Sequence, residues 1–388
     1  MPRSCSMARM SGPWIRGLAG IRELCALGLP TQTLVPAVLE ALHRVVPSSR
    51  NLFDWTDEQG RLIHYYFEGP IDTTIAQLYF DEFHNHREAE AMPRFDALTR
   101  RPAGIHSAAE LDHAGFFDSA LFNEIWRPQG LKYRVEAVLR APGGRLIGSL
   151  VLYREPGDRC FSADEERRLA QVVPVLSAGL ARSHTAAQRE RHVPAAEPVQ
   201  SLLLDLDGTV QHASTGAERW LLLACGGINT NNLAQPLDWL ARTALSPLLQ
   251  RLREQAMAGA QTGQAGRAWL QPAELNFGNL WGQFKAQAQL LLPRGAGQRV
   301  LVQATLERHE PYRVALTRAL QSLPLTAGQA TVCSALIQGH TQAQIALHLG
   351  VAPATVIDHV RKSYRVLDVR SAQELRALVD ASMDRARI

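Results

Sequence analysis

Residues Leu325 to Val379 constrain this chain more tightly than any other stretch, because turn signals fall so close together there that only short helices fit between them. Thr326 is a ready N-cap, its hydroxyl able to accept from the first unpaired amides of a helix. Val332 and Leu336 recur one turn apart, and Gly339 supplies a left-handed stop. Thr341 opens a second helix with Ile345, Ala346 and Leu349 on one face and Gly350 at its end. Pro353 suits the first turn of a third helix, where its missing N–H is harmless. That helix is expected to bury Val356, Val360 and Leu367 and to turn Ile357, Asp358, Arg361, Lys362 and Arg365 outward. Ser371 caps a fourth helix, with Leu375, Leu378 and Val379 on its inner side.

Two short helices joined across Gly350, the second presenting polar and basic side chains, have the spacing of a helix-turn-helix. A purely structural helical bundle would share that spacing, so the particular residues have to separate the two. Leu325-Thr326, Gly339, Ile345-Ala346, Leu349, Val351, Thr355-Val356, Asp358-His359, Leu367, Val369-Arg370-Ser371 and Leu375 together resemble the LuxR/GerE-type DNA-binding domain of bacterial regulators. The resemblance spans the whole segment. It implies an all-α tetrahelical domain over 323–388 that binds double-stranded DNA in the major groove. It also implies contacts from Thr355, Ile357, Asp358, Arg361, Lys362 and Arg365, with Ile357, Asp358 and Arg361 facing base edges.

Departures from the family's usual residues matter. Gln329 and Gln344 stand where Glu is usual, so polar ties between helices are expected to be neutral. Ala352 replaces a capping Ser, at a cost of about 1 kcal/mol. Ile357 and Val366 replace Lys. From Thr326 onward seven Lys/Arg face five Asp/Glu, so the segment is only weakly basic. Affinity is then expected to need pairing of half-sites by a homodimer, with the helix from Asp164 to Ala187 as its interface. A regulator of this kind also has RNA polymerase as an expected partner.

Upstream, periodicity divides 388 residues into two further α+β units. Over 21–183 the order is a helix (Thr31 to Val46), strands NLFDW and RLIHYYF around Asp57-Glu58-Gln59-Gly60, an aromatic-rich middle section from Ile71 to Gln129, strands YRVEAVLRA and RLIGSLVLYR, and a helix opened by Ser162. This order is similar to a GAF sensor domain, and so is PQGLKYRVEAVL. Aromatic rings concentrated between two strand pairs are how small-molecule sites are commonly lined. Tyr66, Phe83, Phe117 and Trp126 are the candidate ligand-binding residues, with His84 or Glu136 as polar groups, although rings could equally fill a core. Residues 183–200 read as a polar linker. Over 201–310, strand SLLLD, an Asp-x-Asp-Gly turn, a short strand, helices and three strands resemble a PAS domain, and Leu316 and Leu320 mark a helical connector at 311–325.

Composition excludes several classes. A hydrophobic content of 46% with 20% charged residues is that of a folded soluble protein, and a net charge of +4 permits nucleic-acid binding without arguing for it. Cys5, Cys25, Cys160, Cys225 and Cys333 are scattered and never in CxxC spacing, so neither a disulfide framework nor a metal site is expected. His84, His86, His106 and His113 crowd one region but lack ligand spacing. No secretory signal or bilayer-length apolar run is present, and the expected location is cytoplasmic.

Leu202 to Val210, LLLDLDGTV, has the form of a haloacid-dehalogenase nucleophile motif, in which Asp205 would attack phosphorus and Asp207 would serve as acid–base. That chemistry needs a downstream Lys and paired acidic ligands. Between Thr209 and the C-terminal segment Lys285 is the sole lysine, and no close acidic pair follows. The expected reading is therefore a non-enzymatic regulator without cofactor, and the phosphatase is its alternative.

Overall fold

The computed structural model describes residues 13–183, 190–262, 271–295 and 299–385. Helix α1 (Pro13–Ala26) and helix α2 (Thr31–Leu42) precede the first strands. Asp57 then folds the chain back on itself, its carboxylate accepting from the Gln59 and Arg61 amides, while Gly60 takes the left-handed conformation that the turn requires. The result is a hairpin of β1 (Arg50–Thr56) and β2 (Leu62–Phe67). Short helices α3 (Thr73–Leu78) and α4 (Phe95–Thr99), the edge strand β3 (Gly104–Ser107) and helix α5 (Ala108–Leu111) follow. Strands β4 (Tyr133–Arg140) and β5 (Leu146–Arg154) complete an antiparallel sheet of order β2-β1-β5-β4-β3. Strand β3 was not legible in the sequence, since four residues are too few to show a period.

Helix α6 (Ala163–Ala181) closes this unit. Ser162 and Glu165 form a reciprocal capping box at its start. Leu169, Val172, Val173, Leu176 and Leu180 are buried against the sheet and α1. Gly179 lets α1 approach closely, because a Cβ there would stand 2.7 Å from that of Cys25. Helix α1 therefore covers much of the surface on α6 proposed from sequence as a dimer interface, and positions 184–187 of that stretch lie outside the described residues.

The second sheet contains β6 (His192–Pro194), β7 (Gln200–Asp205), β8 (Val210–Ala213), β9 (Ala273–Asn279), β10 (Gly282–Leu291) and β11 (Leu301–Pro311). Helices α7 (Ala217–Ala224), α8 (Thr230–Leu233) and α9 (Leu237–Thr262) lie between β8 and β9. The order is β8-β7-β11-β10-β9, with β6 added at the far end of β11. Counted from the first strand of the hairpin in each unit, both sheets follow one order, second-first-fifth-fourth-third. The 183–200 stretch is thus not simply a linker, since β6 pairs with β11; positions 184–189 lie outside the described residues.

The two sheets are not independent. One continuous apolar core runs from Leu18 to Val314 and takes in both. Trp281, at the β9–β10 turn, is 2% exposed and stacks on Tyr66 at 6.0 Å, with Trp55 at 5.5 Å across its edge. The Tyr65 amide donates to the Ile228 carbonyl at 2.9 Å, joining β2 to the second unit through backbone.

Helix α10 (Tyr312–Ser322) is more than a connector: Val314, Ala315, Leu316, Ala319 and Leu320 are all buried, packed against α1 and the C-terminal helices. Those are α11 (Ala327–Ile337), α12 (Gln342–Leu349), α13 (Pro353–Leu367) and α14 (Ala372–Arg385). They pack around two small apolar clusters separate from the main core, one of which includes Leu316, Ala319 and Leu320 of α10. Among the described residues no helix is long and apolar enough to cross a membrane.

Candidate functional site

Two places bring chemistry-bearing side chains together: the outer face of α13 and a cavity on the first sheet. Thr326 and Thr341 cap α11 and α12, and in each case a Gln three residues on completes a capping box. Gln329 and Gln344 are therefore engaged at the ends of their own helices, rather than tying helices to one another as expected. Gly350 closes α12 at φ 65°, Ala352 makes no cap bond, and Pro353 begins α13. Asp368 ends α13 in the left-handed region, which Asp tolerates.

On α13, Val356, Val360 and Ser363 are buried, Leu367 is half-buried, and Thr355, Ile357, Arg361, Lys362 and Arg365 are exposed. Ile357, Arg361 and Arg365 recur at intervals of four and so share one stripe. Asp358 lies beside that stripe, 2.6 Å from Lys362 Nζ and 3.2 Å from Arg361 Nη2. The Lys362 ammonium and then Arg361 hold its carboxyl below the usual range. The six residues named from sequence thus occupy one helix, and two of its three cations are internally paired.

The cavity, about 140 Å³, lies on one face of the first sheet beneath the segment from Ile71 to Gln129. Strand alternation decides its lining. Leu52 and Asp54 of β1, Tyr65 and Phe67 of β2, Arg134 and Glu136 of β4, and Val151 and Tyr153 of β5 all face it. Of the four residues named from sequence, Trp126 lines the cavity and the other three do not. Tyr66 points to the opposite face, where it meets Trp281 and its hydroxyl accepts from Arg219. Phe83 is fully buried, with the Arg87 guanidinium 4.7 Å from its ring. Phe117 is 44% exposed. His84 and Glu136 both stand in the wall.

Sequence reasoning missed Asp54, Glu88, Arg134, Tyr79 and Tyr153. Period-two alternation in four strands held the signal for Asp54, Arg134 and Tyr153, but only once register put those strands side by side. Burial, reinforced by the neighbouring Glu136, pushes the Asp54 carboxyl up to about 8. Burial likewise raises Glu136 to about 7, against the pull of Arg134. Glu88 is also raised by burial, although it accepts from the Phe95 amide at 2.6 Å, the Asn85 amide at 2.8 Å and the Tyr79 hydroxyl at 2.9 Å. Desolvation lowers His84 to about 4.

Asp205 to Thr209 forms the turn between β7 and β8, the Gly208 amide donating to the Asp205 carbonyl and the Thr209 amide to the Asp207 carboxylate. Both neighbours of β7 run antiparallel to it, unlike the parallel, Rossmann-like core that the phosphatase alternative requires. Among the described residues no group of three or more His, Cys, Asp or Glu side chains is arranged to hold a metal ion.

No family model matches the chain, and no curated protein matches it. Among solved structures, the Vibrio cholera VqmA–ligand–DNA complex is similar at 17% identity over 49% of this chain and 85% of that one, with a TM-score of 0.22. The E. coli DhaR(N)–DhaL complex is similar at 16% identity over 78% of this chain and 91% of that one, with a TM-score of 0.23. The sensor region of a sensor histidine kinase follows at 15% identity over 71% and 90%, with a TM-score of 0.17.

Proposed function

We propose that the chain is a bacterial transcription regulator that binds double-stranded DNA through a LuxR-type helix-turn-helix over 323–388. A GAF-like unit over 21–183 and a PAS-like unit over 201–310 would control it. The observation that carries this reading is α13 itself: a helix preceded by a tight turn at Gly350, buried along one side, and carrying Thr355, Ile357, Arg361, Lys362 and Arg365 exposed on the other. Ile357, Asp358 and Arg361 are assigned to base edges, and Thr355, Lys362 and Arg365 to the backbone. The protein works as a homodimer in the cytoplasm, recruits or blocks RNA polymerase, and performs no chemistry of its own.

Control needs a route from the first unit to the C-terminal helices, and the contacts of α1 and α10 offer part of one. Helix α1 packs against α6, α10 and α11 at once. Arg318 of α10 reaches Glu40 of α2 at 2.7 Å and Glu310 at the end of β11 at 3.0 Å. A ligand changes DNA affinity only if it prefers one arrangement of these helices over another. The test is selection of duplexes from a randomised pool by the full chain, followed by affinity measurements at several salt concentrations. An enriched inverted repeat bound far more tightly than random DNA supports the reading; uniform binding, or none, rejects it. Magnesium-dependent phosphate release that is lost in Asp205→Asn would favour the phosphatase instead.

A further inference from the structure

The cavity on the first sheet has an excess of buried carboxyl groups. Asp54, Glu88 and Glu136 stand in its wall, Asp72 caps α3 at its edge, and Arg134 is the one Lys or Arg among the described lining residues. Two of that cation's three nitrogens are already engaged, Nη1 by the Met92 sulfur at 2.9 Å, while its Nε has no hydrogen-bond partner among the described residues. Its Nη2 donates to Asp112, which lies outside the lining, at 2.8 Å, and its guanidinium lies 5.2 Å from the Trp126 ring.

The three buried carboxyls differ in what satisfies them. Glu88 accepts from two backbone amides and the Tyr79 hydroxyl. Asp54 accepts from the Ser149 hydroxyl at 3.0 Å. Glu136, only 3% exposed, shares the Ser149 hydroxyl with Asp54, and its ion pair with Arg134 Nη1 is long, at 3.9 Å. Asp54 and Glu136 flank the central strand β5 on the same face, opposite Ser149 and Val151 respectively. Buried carboxylates lacking a counter-ion need either a proton or a cation. Around them the lining is apolar and aromatic, with Phe80, Phe95, Trp126 and Tyr153 among its rings. Ring faces attract cations as well.

We propose that this cavity binds a primary amine carried on a single aromatic ring. The ammonium sits between Asp54 and Glu136, and the ring lies among Phe80, Trp126 and Tyr153. Size supports one ring: an apolar cavity of roughly 150 Å³ holds a benzene molecule, and this one measures about 140 Å³. An alcohol of the same shape would leave Glu136 with only its long pairing to Arg134, and a carboxylate would add a further negative group. The inference rests on reading the first unit as a ligand sensor and supplies the chemical class of its ligand.

The test uses the full chain at pH 7, titrated calorimetrically with 2-phenylethylamine, 2-phenylethanol and phenylacetate. Affinity for the selected duplex is measured on the same samples. The amine should bind at least tenfold more tightly than the alcohol, with no binding of phenylacetate. Glu136→Gln and Asp54→Asn should each weaken the amine at least tenfold and narrow its advantage over the alcohol. Their unfolding midpoints should be no lower than that of the parent, which shows the cavity intact. Equal or tighter binding of the alcohol or the acid, unchanged amine affinity in both variants, or no amine binding overturns the proposal. Amine binding that leaves DNA affinity unaltered supports the site and rejects the control reading. Binding of the alcohol or acid that alters DNA affinity does the reverse.

Discussion

The Thr331 hydroxyl, on α11, donates to the Glu23 carboxylate, on α1, so the start of the described chain is tied to its C-terminal helices across 308 residues. Burial raises the Glu23 carboxyl, and the Thr331 hydrogen bond partly opposes that rise. Gly20, one turn earlier on α1, lies where any side chain would strike Gln321 of α10. Helix α1 is therefore a clasp on the end of the molecule that carries the exposed cations.

Loss of that donor should be felt at both ends. Thr331→Val leaves a mostly buried carboxyl without its partner, a cost of about 1–3 kcal/mol. Glu23→Gln combined with Thr331→Val should destabilise by less than the sum of the two single changes, measured by denaturant unfolding. Hydrogen exchange in α1 and α11 should quicken together in the single variants. Strict additivity would mean that the two residues are not coupled.

On α13, Asp358 and Arg361 should separate cleanly by assay. Arg361→Ala is expected to cost about 1–3 kcal/mol on the selected duplex and much less on random DNA, because a guanidinium can take both acceptors of one guanine edge. Asp358→Ala frees Arg361 and Lys362 from their pairing and removes a negative charge. Binding to random DNA should then tighten and specificity should fall. An equal loss on both duplexes for Arg361→Ala would make it a phosphate contact.

Trp281 is one link between the sheets. Trp281→Ala removes a buried ring that meets Trp55, His64 and Tyr66, and a large-to-small change of this kind costs about 3–5 kcal/mol. Because the lost contacts lie between the two units, calorimetry should show two resolved transitions in place of one. A single transition at lower temperature would place the cooperativity elsewhere, for instance in the Tyr65–Ile228 backbone bond.

The cavity carboxyls give the fold a pH dependence of definite sign. Asp54 and Glu136 titrate near 8 and near 7 in the folded chain, against ordinary values of 3.8 and 4.5. The folded state therefore holds protons that the unfolded state has released, and stability falls as pH rises from about 4 toward 8. Asp54→Asn and Glu136→Gln should flatten that decline and stabilise most at pH 8, as read by thermal midpoints across the range. Steeper decline in the variants would contradict the assignment.

The sequence by itself determined the local elements. Caps at Thr326, Thr341 and Ser162, the stop at Gly350 and the turn at Asp57 to Gly60 all act through hydrogen bonds and backbone conformations set within a few residues, so their positions were legible in order. The outward set on α13 was legible for the same reason, since helical period alone turns Ile357, Arg361 and Arg365 away from Val356 and Val360. Tertiary structure decided which faces meet. Tyr65 and Tyr66 are adjacent and chemically alike, yet one enters the cavity and the other packs on Trp281, because strand register assigns alternate residues to opposite sides. The pairing of Glu23 with Thr331, the shared core of the two sheets, and the gathering of Asp54 and Glu136 around one cavity depend on contacts between residues far apart in the chain, and no local period encodes those.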